Sequence, residues 1–281
     1  MAAYAFRHIR RSPGAIAGFL LLVCILGTAT AAPWLAPQSP TLVRVQDRLL
    51  RPLTVRDGIR HWLGTDPLGR DVFSRLLVGA RISLFVGLTA VLIGGSLGTA
   101  IGLVSGYYGG WTDRLMMRVG DVQLAFPFIL LALAVMAVLG PGLGNIIGVL
   151  GLTSWVTYAR VVRSEVLSVR EREFVHAARA MGAPVSRILL VHALPNVVGT
   201  VIVVATFSVA STILSEAGLS FLGLGVGAGT PTWGSMLADA REYMTDAWWL
   251  TTFPGFGILL TVLGVNLVGD WLRDSLDPRL R

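Results

Sequence analysis

From Val122 to Ala159 the chain runs for 38 residues without a charged side chain. A helix of about 20 apolar residues crosses a bilayer, so this stretch is long enough for two crossings. Gly140-Pro141-Gly142 near its middle predicts a tight turn between two helices, and Pro127 predicts a kink in the first of them. The chain is therefore expected to be a membrane protein, in agreement with its 54% hydrophobic and 14% charged residues.

Four further apolar segments complete the pattern of membrane crossings. They are residues 15–32, 82–107, 197–214 and 253–271. The fold class predicted is an all-α integral membrane protein with six transmembrane helices. With the amino terminus inside, the inner segments carry 14 arginines and the outer ones 9, so both termini are expected in the cytoplasm. A cleaved signal peptide is the alternative for residues 15–32, but this apolar part is long for a signal, which favours a retained span.

The second apolar segment carries a glycine at every fourth position, namely Gly94, Gly98, Gly102 and Gly106. Such a stripe removes side chains from one helix face, so a neighbouring backbone can approach closely. The stripe predicts helix packing, with a partner either in this chain or in another subunit.

Residues 33–81 form a polar loop with eight arginines. Near its end, apolar residues from Val72 to Ala80 mark one face of a short helix expected at the membrane surface, with Asp71 and Arg75 as an i, i+4 pair. The arginines fit either a site for peptide carboxylates or anchoring at the interface, and anchoring is the commoner use.

Residues 160–196 are a charged run between two apolar segments. Phe174, Ala177, Ala178 and Met181 have the spacing of one helical face, and Arg172, His176 and Arg179 fall on the other. Gly182 is expected to end this helix, Pro184 to open a second one, and Pro195 to close the run. The run predicts a short amphipathic helix held between two spans.

The residue types present argue against catalysis by this chain. It has no lysine, which a phosphate-binding loop for ATP requires, and its four histidines lie in loops or tails. Cys24 is the single cysteine, so no cysteine-based metal site is expected, nor any cofactor. The net charge of +7 comes mostly from arginines beside apolar segments, where topology and anionic lipid explain it better than nucleic acid does.

Several stretches resemble one family. Ala177-Ala178, Gly182 and Leu194-Pro195 resemble the "EAA" loop of bacterial ABC-importer permeases, with His176 where that family usually has glutamate. His192-Ala-Leu-Pro-Asn196 is similar to the dipeptide/oligopeptide/nickel branch, C-type member. Residues 64–84, 215–225, 230–239 and 269–279 are also similar to that branch.

The resemblance implies a type-1 ABC importer permease fold in the bacterial inner membrane. Its implied partners are a sister permease, two ATPase subunits that hydrolyse ATP and an external solute-binding protein, with di- or oligopeptides as substrate. Nickel, glutathione or haem are the other substrates of similar permeases. An ATP-independent secondary carrier is the alternative from another class, but carriers bury ionisable groups in their spans. The implied ATPase-coupling residues are Phe174, His176, Ala177, Ala178, Arg179, Met181, Gly182 and Pro195.

The expected organisation has four parts: residues 1–50 with the first span, an external loop at 51–81, a five-helix core at 82–271 containing the coupling loop 160–196, and a cytoplasmic tail at 272–281. Residues 215–239 are expected to be irregular, exposed backbone because they are rich in glycine. Glu216 is expected to line an outer mouth of the translocation path.

Overall fold

The computed structural model describes residues 12–227 and 229–276. Arg7, Arg10 and Arg11, which precede the first predicted span, and residues 277–281 of the predicted tail lie outside the described residues. Strands β1 (Thr54–Arg56) and β2 (Ile59–His61) form an antiparallel hairpin with Thr54 opposite His61. Short 3₁₀ turns lie at Val45–Asp47 and Arg241–Tyr243. The helices are α1 (Pro13–Leu35), α2 (Val72–Tyr108), α3 (Gly110–Leu124), α4 (Phe128–Leu139), α5 (Leu143–Val169), α6 (Glu173–Ala180), α7 (Val185–Phe221), α8 (Trp233–Ala240) and α9 (Trp249–Leu276).

Within the described residues, α1, α2, α5, α7 and α9 are long and apolar enough to cross a membrane. The pair α3 and α4 gives a sixth candidate if it is one span, although it is bent by 86° at the break before Phe128. Pro127 precedes α4, and residues 140–142 join α4 to α5 as predicted, with Gly140 at a φ of +79°.

The charged stretch at residues 108–121 predicts a short loop containing Arg114 and Arg118, and this prediction is wrong. Residues 110–124 form α3, an amphipathic helix that begins one residue after α2 ends. Gly109, at a φ of +63°, separates the two helices, and such a backbone conformation favours glycine. The bend at Pro127 then turns the chain from α3 into α4, since the residue before a proline is disfavoured in helical conformation.

The short interfacial helix predicted before the second span is instead the beginning of α2. The carboxylate of Asp71 caps this helix by accepting hydrogen bonds from the backbone N–H of Ser74 at 2.9 Å and from its hydroxyl at 2.8 Å. Asp71 also lies 3.2 Å from His61 Nδ1, whereas Arg75 binds other carboxylates. The predicted Asp71–Arg75 pair is therefore absent.

The helical run after Pro184 does not close at Pro195. One helix, α7, continues for 37 residues, and its residues Ile188–Ala193 have π-helical hydrogen bonding. Pro195 follows directly in the first turn of the next α-helical stretch. In this π-helical turn each N–H bonds to the carbonyl five residues earlier instead of four. A proline, which has no N–H to donate, is accommodated directly after such a turn.

The glycine stripe of α2 faces α5 of the same chain, and these two helices form the most extensive helix pair of the fold. A Cβ added at Gly102 would lie 2.7 Å from the carbonyl oxygen of Ala159, and one added at Gly106 would lie 2.8 Å from Cβ of Val166. Gly94 and Gly98 meet the preceding turns of α5 in the same way. Only glycine allows the two backbones to approach this closely.

Residues 215–239 were expected to be irregular, exposed backbone. Among the described residues only 222–227 and 229–232 are irregular, and most of the segment is buried or partly buried. Residues 215–221 are the last turns of α7, and α8 follows with a capping box between Thr232 and Ser235. Trp233 and Ala240 are buried in the main apolar cluster with residues of α2 and α9. Gly234 permits close packing, since an added Cβ would lie 2.6 Å from Cα of Ala217, whereas Gly218, Gly223, Gly227 and Gly229 have no atom within 4 Å of an added Cβ.

Candidate coupling site

Helix α6 packs one face against its own chain. Val175 is 1% exposed and Ala178 is 3% exposed, and both lie in an apolar cluster with Val166 of α5 and Ile188 of α7. Ala178 was expected on the outward docking face, and that placement is wrong. The buried stripe is one residue out of register with the predicted one because Val175, not Phe174, packs inward.

The outward face of α6 is formed by Phe174, Ala177 and Met181. Met181 is 81% exposed and Phe174 is 41% exposed. The Phe174 ring lies 6.1 Å from the His192 ring, centroid to centroid. Large apolar side chains on the exposed face of an otherwise polar segment are typical of a surface that binds another molecule.

Gly182 ends α6 through backbone hydrogen bonds that close the last turn. The N–H of Gly182 donates to the carbonyl of Arg179 at 2.9 Å, and that of Ala183 donates to the carbonyl of Ala178 at 3.0 Å. Gly182 has a φ of +76°, and no atom lies within 4 Å of an added Cβ. Glycine is therefore favoured by backbone conformation and not by lack of space.

Two arginines attach the loop to the end of α2. The Arg170 guanidinium donates from Nη1 to the carbonyl of Gly106 at 3.0 Å, where the last carbonyls of α2 lack helical partners. The Arg179 guanidinium lies 4.8 Å from the centroid of the Tyr107 ring, and its Nε donates to the Tyr107 hydroxyl at 3.2 Å. Arg179 thus contacts its own chain, which the helical spacing of the loop did not reveal.

His176 occupies the exposed edge of α6. Its Nε2 lies 3.8 Å from Oε2 of Glu171, and both side chains are more than half exposed. Pro195, the last predicted coupling residue, lies within α7 and is not part of the α6 surface. The structure thus brings together Phe174, His176, Ala177 and Met181 on one surface.

At the other end of α7, Glu216 is fully buried and does not line an open mouth in this structure. Its carboxylate accepts hydrogen bonds from the Ser220 hydroxyl at 2.7 Å and the Ser83 hydroxyl at 3.3 Å. The Ser83 oxygen also accepts from the backbone N–H of Trp233 at 3.3 Å. Glu216 therefore connects α2, α7 and the start of α8.

An ionic network in which Asp66 and Arg75 are buried joins the segment between α1 and α2, and the first turn of α2, to α8. The carboxylate of Asp66 accepts from Arg75 at 2.8 Å and also binds Arg70. The carboxylate of Asp239 accepts from Arg70 at 2.7 Å and from Arg75 at 2.9 Å. Two of the eight arginines in residues 33–81 are thus paired with carboxylates of the chain itself.

Other arginines of this loop are also engaged. The Arg48 guanidinium donates to the Tyr243 hydroxyl at 3.0 Å, and Arg60 lies over the Trp62 ring at 4.3 Å.

In the part of the chain that the structure describes, no group of three histidine, cysteine or acidic side chains is arranged to hold a metal ion.

Two family descriptions match the chain. Residues 98–281 match "Binding-protein-dependent transport system inner membrane component". This range includes all of α5, α6 and α7. Residues 1–52 match "N-terminal TM domain of oligopeptide transport permease C".

Similar proteins cover nearly the whole chain. The dipeptide transport system permease protein DppC of Alkalihalophilus pseudofirmus is 44% identical over 99% of this chain and 90% of its own length. The di/tripeptide permease DppC of Pseudomonas aeruginosa is 46% identical over 99% and 91%. The glutathione transport system permease protein GsiD of Escherichia coli is 45% identical over 98% and 90%.

A solved structure supports the fold. The MetNI methionine ABC transporter in an inward-facing conformation matches with a TM-score of 0.55 and 22% identity, over 72% of this chain and 96% of that chain. The apolar helices and the family matches make this a multi-pass protein of a bacterial membrane. They favour an importer subunit over a secondary carrier. The chain belongs to the inner membrane components of binding-protein-dependent transport systems, as a C-type permease subunit of an ABC importer.

Proposed function

We propose that this subunit forms, with a sister permease, the path through which short peptides enter the cell. An external solute-binding protein delivers the peptide, and two ATPase subunits supply the energy. One of these ATPases docks on α6, and the observation that carries this proposal is the outward face of Phe174, Ala177 and Met181 on a helix whose other face is fixed.

The packing beneath α6 supports a mechanical role. Val175 and Ala178 contact the ends of α5 and α7, while Arg170 and Arg179 bind the end of α2. A force applied to the outward face of α6 therefore reaches three long helices directly. Closure of the ATPases would shift these helices between two packed arrangements, as expected for alternating access.

The proposed topology has six spans and both termini in the cytoplasm. The bent pair α3 and α4 provides the third span, with α3 along the cytoplasmic surface and α4 entering the bilayer. The arginine-rich loop 160–196 then lies inside, in keeping with the positive-inside rule. Labelling of Arg172→Cys in intact cells would test it, since reaction with an impermeant thiol reagent from outside would contradict it. The Cys24→Ser background removes the native thiol.

The docking surface can be tested with Phe174→Ser and Met181→Ser combined. The unfolding free energy should stay within about 0.5 kcal/mol of wild type, since the altered side chains are largely exposed. ATPase co-purification should fall, because each large apolar side chain buried at the interface contributes roughly 1.5 kcal/mol or more. Peptide-stimulated ATP hydrolysis should fall with it.

The matched control is Leu42→Ser with Val43→Ser, two exposed apolar residues between α1 and the first 3₁₀ turn. This control should leave ATPase co-purification unchanged. Normal coupling in the α6 variant would show that the ATPase docks elsewhere.

Short peptides are the proposed substrate class because the similar permeases are described for dipeptides, di/tripeptides and glutathione, which is itself a tripeptide. Their identities of 44 to 46% do not rank these substrates against one another. ATP-dependent uptake of labelled Ala-Ala and of glutathione into proteoliposomes holding the complete importer would do so. Uptake of neither would contradict a peptide substrate.

A further inference from the structure

Helix α3 carries an exposed apolar stripe with no partner in the described chain. The stripe consists of Trp111, Leu115, Val119 and Val122, each about half exposed or more, and Trp111 is 70% exposed. The opposite side of α3 is anchored, since Gly120 is buried against Val156 of α5. The helix therefore presents one apolar face away from the protein.

Two arginines border this stripe without an acidic partner among the described residues. They are Arg114 and Arg118, one helical turn apart and both exposed. The two aspartates of α3 are already paired with α5, Asp113 with Arg163 and Asp121 with Arg160. Four arginines against two aspartates leave a formal charge of +2.

These charged residues surround an open groove between α3 and α5 of about 550 Å³. Its lining is Asp113, Arg114, Met117, Arg118, Asp121, Arg160 and Arg163. The guanidinium groups offer donors in the planar arrangement that phosphate oxygens accept. A single anionic group in this groove would neutralise charge that the chain itself leaves uncompensated.

The direction of α3 suits a membrane surface. It is turned by 86° from α4, so it runs along the surface if α4 crosses the bilayer. Helix α3 lies at the carboxyl-terminal end of α2, which is also the end that Arg170 binds. It begins right after α2, and its Asp113 pairs with Arg163 of α5. An amphipathic helix with this direction, a tryptophan and flanking arginines is typical of a headgroup-level position.

We propose that α3 and its groove with α5 bind an anionic phospholipid, with Arg114 and Arg118 on the headgroup phosphate and the apolar stripe against the acyl chains. Lipid is favoured over free phosphate because the apolar stripe lies directly beside the cationic groove. This site is independent of the ATPase-docking surface on α6.

The test uses the complete importer purified in neutral detergent and titrated with phosphatidylglycerol, with bound lipid counted by native mass spectrometry. Arg114→Gln with Arg118→Gln should weaken phosphatidylglycerol binding about 30-fold, since each arginine near an anionic lipid contributes roughly fivefold. Phosphatidylcholine should bind weakly to both proteins. In wild type, 0.5 M salt should also weaken the binding, because exposed charges are screened.

Arg172→Gln with Arg187→Gln is the matched control, with the same loss of charge in the loop 160–196. It should retain phosphatidylglycerol, and an equal loss there would overturn the site. Insensitivity of wild type to salt, or inorganic phosphate competing as well as lipid does, would also overturn the proposal. Loss of the sister permease from the α3 variant with lipid binding intact would assign the surface to that protein instead.

Discussion

The chain places arginines at both ends of its helical bundle but uses them differently. At one end, Arg70 before α2 and Arg75 in its first turn share the carboxylates of Asp66 and Asp239, and Arg75 is almost fully buried. At the other end, Arg170 and Arg179 bind the end of α2 while Phe174 and Met181 remain exposed. At the first end the arginines are paired with carboxylates of the same chain. At the other end the arginines hold α6 in place while its outward apolar face stays exposed.

This difference separates structural residues from contact residues. A change in the network of Arg70, Arg75, Asp66 and Asp239 should lower the stability of the isolated subunit, because Arg75 and Asp66 are buried together. A change on the outward face of α6 should leave that stability unchanged and affect only assembly. Each prediction below tests that division.

The largest expected effect is that of Arg75→Ala. It leaves two carboxylates sharing only Arg70, and breaking a buried ion pair costs about 3 kcal/mol or more of unfolding free energy. Denaturant titration of the detergent-solubilised subunit measures this change. Arg51→Ala is the control, since Arg51 is exposed and has no ion pair among the described residues, and equal stability of the two variants would refute a structural network.

A smaller effect distinguishes two neighbouring alanines, Ala177 and Ala178. Ala178→Arg forces a charged side chain into the apolar cluster under α6 and should destabilise the loop by about 2 kcal/mol. The cost is no larger because α6 can detach from the cluster and expose the arginine to water. Ala177→Arg should leave the loop intact but block ATPase docking. Chymotrypsin cleavage at Phe174 reports loop opening, and equal cleavage of both variants would contradict the assigned faces.

The smallest effect is expected for His176→Glu, which restores the residue usual in the family. A carboxylate there would lie beside Glu171, and repulsion between two exposed charges changes stability by a few tenths of a kcal/mol. ATPase affinity should change little because the apolar face supplies most of the contact. Co-purification at low and high salt, with His176→Gln as the neutral control, checks this, and a large gain in affinity would contradict it.

The sequence predicted α6 and its end at Gly182 because helical spacing and glycine are local signals. It could not show which of two overlapping apolar stripes faces inward, since Val175 and Ala178 compete with Phe174, Ala177 and Met181. The choice depends on Val166 and Ile188, which pack beneath the helix from other segments. For the same reason the binding of Arg179 to Tyr107 could not be foreseen.

Long apolar helices were predicted because hydrophobicity alone specifies them, and their boundaries were predicted poorly. Pro195 was expected to end a helix, but a π-helical turn before it accommodates the proline. Residues 108–121 were assigned to a loop because charges interrupt them, although in α3 the two aspartates pair with arginines of α5. The π-helical turn is a local backbone feature, whereas contacts distant in sequence pair the aspartates of α3.

Helix α7 runs without interruption for 37 residues, from the cluster beneath α6 to the buried carboxylate of Glu216. A helix of this length measures about 55 Å, so a tilt of roughly 5° about one end displaces the other by about 5 Å. A small tilt that begins at α6 would therefore become a displacement of several ångströms around Glu216, and the π-helical turn at Ile188–Ala193 lies close to the end where the tilt begins.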